Sequence, residues 1–226
     1  MSFIEQKARD VSRPILETVG RTLDRWNVSP NAVTYAGLFL TTGVAVLAAL
    51  GQIRWAGVAY VVAAVCDAMD GTLARISGRG SRFGAFLDST IDRFEESIVF
   101  VGLAVHYART GGEWEIPLIL VVTVASLMVS YTRARAEALG VPCTVGFMTR
   151  PPRVVILIAG LILDLVPAAL IILAATSLFT AFHRMFHVWR ITGGEAAGWA
   201  MPKEPFVMKG SVAQEPMQED HQEEAP

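Results

Sequence analysis

Residues 67–92, DAMDGTLARISGRGSRFGAFLDSTID, put four aspartates into an otherwise oily chain. Asp67 and Asp70 are three positions apart and Asp88 and Asp92 four apart, so on helices each pair shares one face. The stretch from Ile76 to Phe83 contains Gly78 and Gly80 and reads as a turn. A helix, that turn and a returning helix would bring the two pairs together. Converging carboxylates repel one another and take up protons unless cations neutralise them. Hard oxygen donors of this kind suit magnesium or manganese, which commonly carry a substrate phosphate as a further ligand, and four acids could hold two ions. Gly71 leaves room for a ligand to meet the backbone, while Arg75, one turn further, can neutralise a phosphate oxygen. Together these residues suggest a diphosphate carried on metal. The plainer alternative is that the acids pair with Arg75, Arg82 and Arg93 and anchor helix ends. It suits any one aspartate better than all of them, because acids in or near a membrane are costly to hold.

The elements that must position them are apolar helices. The chain has 226 residues, 53% of them hydrophobic and only 18% charged, against about 25% charged in soluble domains; its mean hydropathy is +0.44. It reads as an all-α, polytopic membrane protein, with apolar runs such as Ala32 to Leu50 close to the roughly 20 residues a helix needs to cross a bilayer. Hydropathy places six spans near 30–50, 55–75, 84–107, 114–135, 152–165 and 167–190; the last two, separated by little more than Asp164 and Pro167, could instead form one kinked helix. Residues 1–28 carry mixed charge with Phe3, Ile4, Val11, Ile15, Leu16, Val19 and Leu23 near helical spacing, which suits an amphipathic interfacial helix rather than a secretory signal. Residues 29–192 form the membrane domain, and 193–226, where Glu215 to Pro226 holds five acids and no lysine or arginine, read as a disordered acidic tail.

Charge sorts the two sides. Of 19 basic residues, Arg54 and Arg109 fall in turns on one side, leaving 17 with the N-terminal segment, the Arg75–Arg82 turn, Arg93 near it, the 133–153 stretch and the C-terminal end. Those regions, both termini and the aspartates are therefore expected on the cytoplasmic face of the cell membrane. Cys66 and Cys143 form no CxxC pair and read as reduced packing residues. Gly and Ala spread through the spans permit close helix approach, within one subunit or between two.

The aspartate stretch resembles the signature of the CDP-alcohol phosphatidyltransferase family. Asp67, two residues, Asp70-Gly71, two residues, Ala74-Arg75, eight residues, Gly84, three residues, Asp88, three residues, Asp92 matches it without departure. The resemblance implies an integral membrane enzyme that transfers a phosphatidyl group from a CDP-linked lipid such as CDP-diacylglycerol to an alcohol, releasing CMP. It implies Asp67, Asp70 and Asp88 as ligands of Mg2+ or Mn2+, joined by Asp92, which would also act as catalytic base. Gly71, Ala74, Arg75 and Gly84 would line the CDP-lipid site. Thr34, following Ser29-Pro30-Asn31, looks like the family's polar start to the first span and joins that list, with simple helix capping as the alternative. The implied partners are the lipid donor, a small alcohol acceptor, membrane lipids and a second copy of the chain, with no nucleic acid.

Arg133 and Arg135 end the fourth span, Arg150 and Arg153 open the fifth, and Arg190 ends the sixth. Guanidinium groups grip phosphate in bidentate fashion, so these five suggest an acceptor with its own phosphate; positive-inside topology and anionic lipid could claim part of them. The RARAE stretch resembles family members using inositol phosphate or glycerol 3-phosphate. His183, Arg184 and His187 read as interfacial anchors. Two rivals are an aspartate-rich membrane prenyltransferase, which lacks the DGxxAR and GxxxDxxxD arrangement, and an ion transporter. The transporter would need acids recurring at mid-span, where the third, fourth and sixth spans read as apolar.

Overall fold

The computed structural model describes residues 18–193. Residues 1–17 of the expected interfacial helix, and the expected tail beyond Gly193, lie outside the described residues. All regular structure within them is helical. A helical segment over 18–25 precedes α1 (Pro30–Ala49), α2 (Ile53–Ser77), α3 (Arg82–Thr110), α4 (Glu115–Ala138), α5 (Arg150–Ile162) and α6 (Val166–Ile191).

Local chemistry sets the helix ends that matter most. Ser29 accepts the Ala32 amide at 3.2 Å and Pro30 opens α1, satisfying an otherwise orphaned donor. Ser81 caps α3 in the same way, accepting the Gly84 amide at 2.9 Å, which starts that helix two residues earlier than hydropathy placed it. Between these helices α2 stops at Gly78, whose φ of 65° is left-handed backbone that favours glycine. The last two helices are separate. Asp164 has a φ of 60°, the Leu165 amide turns back to Gly160 at 2.8 Å, and Pro167 lies in the first turn of α6.

Among the described residues four helices, α1, α2, α4 and α6, are long and apolar enough to cross a membrane, and the chain is a multi-pass membrane protein. α3 has the length, 29 residues, but carries Asp88, Asp92, Arg93, Glu95 and Glu96. α5, at 13 residues, rises roughly 20 Å against a hydrocarbon core of about 30 Å. α1 packs on α2 and α3, α3 on α4, α2 on α5, and α6 on both α4 and α5. Val44, Tyr60, Phe100, Leu157, Leu161 and Leu173 are among the buried residues that join these helices in one core. Phe39, Trp55, Val101, Leu120 and Phe182 stay exposed on outward faces, as lipid-facing residues should.

Close approach depends on missing side chains. A Cβ on Gly102 would stand 2.3 Å from the Ala45 carbonyl oxygen, and one on Gly57 would stand 2.7 Å from the Ile162 side chain. These contacts seat α3 against α1 and α2 against α5, as small residues do where helices meet in lipid. Arg79 pairs with Asp24 at 2.6 Å and donates to Asn27 at 3.3 Å, fastening the N-terminal segment to the end of α2. At the opposite end Arg54 lies 3.6 Å from Asp164.

Gly102→Val should cost about 1–3 kcal/mol through overpacking and lower the Tm of the detergent-solubilised protein by several degrees. Gly43, with nothing within 4 Å of a built Cβ, should tolerate alanine without loss in the same measurement.

Candidate active site

The turn capped by Gly78 and Ser81 folds α3 back along α2, and the two aspartate pairs converge. Asp67, Asp70 and Asp88 each offer an oxygen within 4.8 Å of the others'. Asp67, Asp92 and Glu95 form a second such group, so Asp67 belongs to both. Asp70 is buried, and the Thr34 hydroxyl donates to its Oδ2 at 2.8 Å while the Gly71 amide donates to Oδ1 at 2.5 Å. Those two bonds fix the carboxylate's orientation. The position assigned to Thr34 at the nucleotide is thus one in which its hydroxyl is directed at Asp70, 36 residues away.

Whether the acids fit a divalent ion can be judged from oxygens with nothing to bond. Asp67 Oδ1 and Glu95 Oε1 are buried and lack a hydrogen-bond partner among the described residues. Orphaned carboxylate oxygens inside an apolar bundle are expensive, and a hard cation among them removes the cost. Donor type, spacing and orphaned oxygens all fit Mg2+ or Mn2+.

The structure adds two acids that the sequence reading passed over, and it corrects the expectation of an apolar centre to the third span. Glu95 and Glu96 lie one turn beyond Asp92 on α3 and are 2% and 6% exposed. The signal was present: spacings of three and four place them on the face already assigned to the aspartates. Glu95 Oε2 lies 2.5 Å from Arg150 Nη2, and Glu96 meets Arg153 in a bidentate pair at 2.7 and 2.8 Å.

The five arginines assigned to an acceptor phosphate separate into two sets. Arg150 is half-buried among the acids: Nη1 contacts Asp67 and lies 2.5 Å from Asp92 Oδ1. Arg153 is buried, and its third nitrogen donates to the Met148 carbonyl at 3.1 Å, so its guanidinium is committed within the protein. Arg133, Arg135 and Arg190 are exposed, Arg133 pairing with Glu137 at 2.8 Å. Of the glycines assigned to the lipid donor, Gly71 borders open space, whereas a Cβ on Gly84 would meet Ser81 Oγ at 3.1 Å and Asn31 Oδ1 at 3.2 Å. Ala74 is half-buried, and exposed Arg75 donates to the Gly71 carbonyl at 3.2 Å and to Thr72 at 3.3 Å.

Arg184 is not the interfacial anchor expected. It is buried, donating to the Val145 carbonyl at 2.9 Å and to the Val129 carbonyl, and so ties α6 to α4 and to the segment that leads into α5. His183 lies beside Phe179, and His187 Nε2 is 3.3 Å from the Pro142 carbonyl oxygen. Cys66 and Cys143 are both free.

Residues 27–186 match the family profile described as CDP-alcohol phosphatidyltransferase. The chain is 39% identical over 162 residues to the archaetidylinositol phosphate synthase of Methanothermobacter thermautotrophicus, covering 69% of this chain and 74% of that protein. Among solved structures, it resembles the phosphatidylinositol phosphate synthase of Mycobacterium tuberculosis with CDP-DAG bound, with a TM-score of 0.73 at 30% identity, over 78% of this chain and 94% of that one. The same enzyme in complex with manganese and citrate gives a TM-score of 0.70 at 30% identity, over 77% and 88%.

Thr34→Val keeps the side chain's shape and removes the hydroxyl that orients Asp70. Mn2+ affinity, read by titration of the purified protein, should fall about 10- to 100-fold, the usual cost of losing a partner that orients a ligand. Glu96→Ala leaves Arg153 buried without its counterion, and the Tm should drop by an amount equivalent to about 3–5 kcal/mol.

Proposed function

This chain belongs to the CDP-alcohol phosphatidyltransferase family, a family of membrane enzymes that use divalent metal, and we propose that it makes a phosphatidylinositol phosphate-type lipid. In this reading it transfers the phosphatidyl group of a CDP-linked diacylglycerol to a phosphorylated alcohol, inositol phosphate ahead of glycerol 3-phosphate, and releases CMP. The observation that carries it is the convergence of Asp67, Asp70, Asp88, Asp92 and Glu95 from two antiparallel helices. The inositol phosphate preference is supported by the relatives named as archaetidylinositol and phosphatidylinositol phosphate synthases.

Asp67, Asp70, Asp88 and Asp92 would hold the metal, with Thr34 and the Gly71 amide keeping Asp70 in place. When bound, Mg2+ or Mn2+ neutralises the diphosphate and stabilises the negative charge that develops on departing CMP. Asp92 accepts the acceptor's hydroxyl proton. As the acceptor oxygen bonds to the lipid-side phosphorus, the bond from that phosphorus to the bridging oxygen breaks, and CMP leaves with the electron pair. Gly71 and Ala74 give the nucleotide room beside α2, Gly84 keeps α3 close to the Ser81 cap, and Arg75 faces the diphosphate.

Exposed Arg133, Arg135 and Arg190 supply guanidiniums for the acceptor phosphate, while Arg150 acts among the acids and Arg153, committed to Glu96 and the Met148 carbonyl, braces α5 against α3. α3 and α5 complete six spans between residues 29 and 192. The site and both termini face the cytoplasm, where CMP and a charged acceptor are soluble and the donor lipid stays in the bilayer. The chain works as a homodimer. These readings rest on the basic residues gathered at the aspartate end and on the small residues along the helices.

Purified protein given CDP-diacylglycerol, Mg2+ and a panel of inositol phosphate, glycerol 3-phosphate, inositol and serine should release CMP with inositol phosphate and stay near background with the unphosphorylated alcohols. Equal rates with inositol would remove the phosphorylated-acceptor assignment. Asp92→Asn should lower kcat by about 10²- to 10⁴-fold, as loss of a general base does, with nucleotide binding retained.

A further inference from the structure

Arg150 is gripped by three carboxylates at once. Nη1 reaches Asp67 Oδ2 and, at 2.5 Å, Asp92 Oδ1, while Nη2 reaches Glu95 Oε2 at 2.5 Å. These are the acids whose oxygens lie within 4.8 Å of one another, the spacing of a cation cage. A guanidinium lodged between Asp67 and Asp92 fills the space and repels the positive charge that a divalent ion bridging those carboxylates would bring. Two of the three, Asp67 and Asp92, are also those the proposed reaction assigns to metal.

Charge bears on where the arginine can go. With all ionised, Asp67, Asp70, Asp88, Asp92 and Glu95 carry five negative charges against the guanidinium of Arg150 and that of Arg93, whose Nη1 lies 3.9 Å from Asp92 Oδ2, so the group lacks positive charge until divalent ions bind and Arg150 need not leave it altogether. Glu95 is placed to keep it. It lies one turn deeper on α3 than Asp92, its side chain is 2% exposed, and stranding either member of such a pair in the bundle would be costly. Arg150 is also the first residue of α5, where the backbone amides make no intrahelical bond and the side chain can swing without breaking the helix.

Resting on the metal-dependent reading above, we propose that Arg150 is an exchangeable internal counterion: its guanidinium neutralises Asp67 and Asp92 until a second divalent ion takes them, and it then remains on Glu95 alone. The exchange makes second-ion binding and release of Asp92, the proposed proton acceptor, a single event. Asp92 is then free of the arginine only when the metal site is complete. Glu95 and Arg150 are positioning residues in this scheme, acting through the metal-binding acids.

The test is Mn2+ binding to the full chain in detergent, stripped with EDTA and titrated by calorimetry and by electron paramagnetic resonance, with no substrate present. Arg150→Gln should bind the second Mn2+ about tenfold more tightly than wild type, since a competing opposite charge within a few ångströms is gone, and its Tm should rise more on Mn2+ addition. Equal or weaker second-ion binding, with the first ion still bound, would overturn the exchange and leave the metal-dependent reading standing. Wild type binding no Mn2+ would overturn both. Should the variant fail to fold, wild type still decides the matter: phenylglyoxal, followed by peptide mass analysis, should modify Arg150 several-fold faster in Mn2+ than in EDTA, with Arg79 as internal reference. An unchanged or slower rate would overturn the proposal.

Discussion

Carboxylates forced together inside an apolar bundle are the constraint to which the rest of the structure answers. Five of them from α2 and α3 face one another where charge is weakly screened, and each ionised group that lacks a counter-charge opposes the fold. Arg150 supplies part of that charge from α5. Divalent cations supply the rest, so the chemistry that makes the site useful also makes it stable. Folding and function are linked through one electrostatic balance, and the aspartates cannot be understood as surface residues that happen to lie near a membrane.

Holding the acids at this spacing is the work of the backbone around them. Gly78 and Ser81 set the tight reversal between α2 and α3, and Gly102 lets α3 lie directly on α1, from which Thr34 reaches Asp70. A bulkier residue at Gly102 would move α3 as a body and with it Asp88, Asp92, Glu95 and Glu96. The acids proposed to hold metal therefore depend on the packing of α3 against α1, a helix that contributes no acid to the group, which is usual where a rigid scaffold positions a charged site.

The aspartates were legible in the sequence because acids are rare in apolar segments and their spacing repeats the helical turn. The approximate positions of the helices (though not the break at Asp164), the turn at Gly78 and Gly80 and the cap at Ser29 were legible for similar reasons, each resting on local chemistry. Glu95 and Glu96 were legible in principle by the same spacing, yet a hydropathy window averages two acids into a long apolar neighbourhood and hides them. The arginines were least readable. Basic residues at helix ends look alike in sequence, whether they face a substrate, a lipid headgroup or a buried acid. Only tertiary contact separates Arg153, held by Glu96, from exposed Arg135 and Arg190.

Those buried arginines explain how the half of the site without aspartates is built. Residues 139–149 form no regular helix, and they join α4 to α5. Arg184 of α6 holds the Val145 carbonyl, and Arg153 of α5 holds that of Met148 while gripping Glu96 on α3. Irregular backbone packed against helices needs such partners, because carbonyls shielded from water are costly to leave unpaired. One consequence is that the connection to α5, and hence the placement of Arg150 at its first turn, is referred through Glu96 to the same helix that carries Asp88, Asp92 and Glu95. The arginine that competes for the cage and the acids that form it are thus registered to one another by a buried ion pair lying outside the cage.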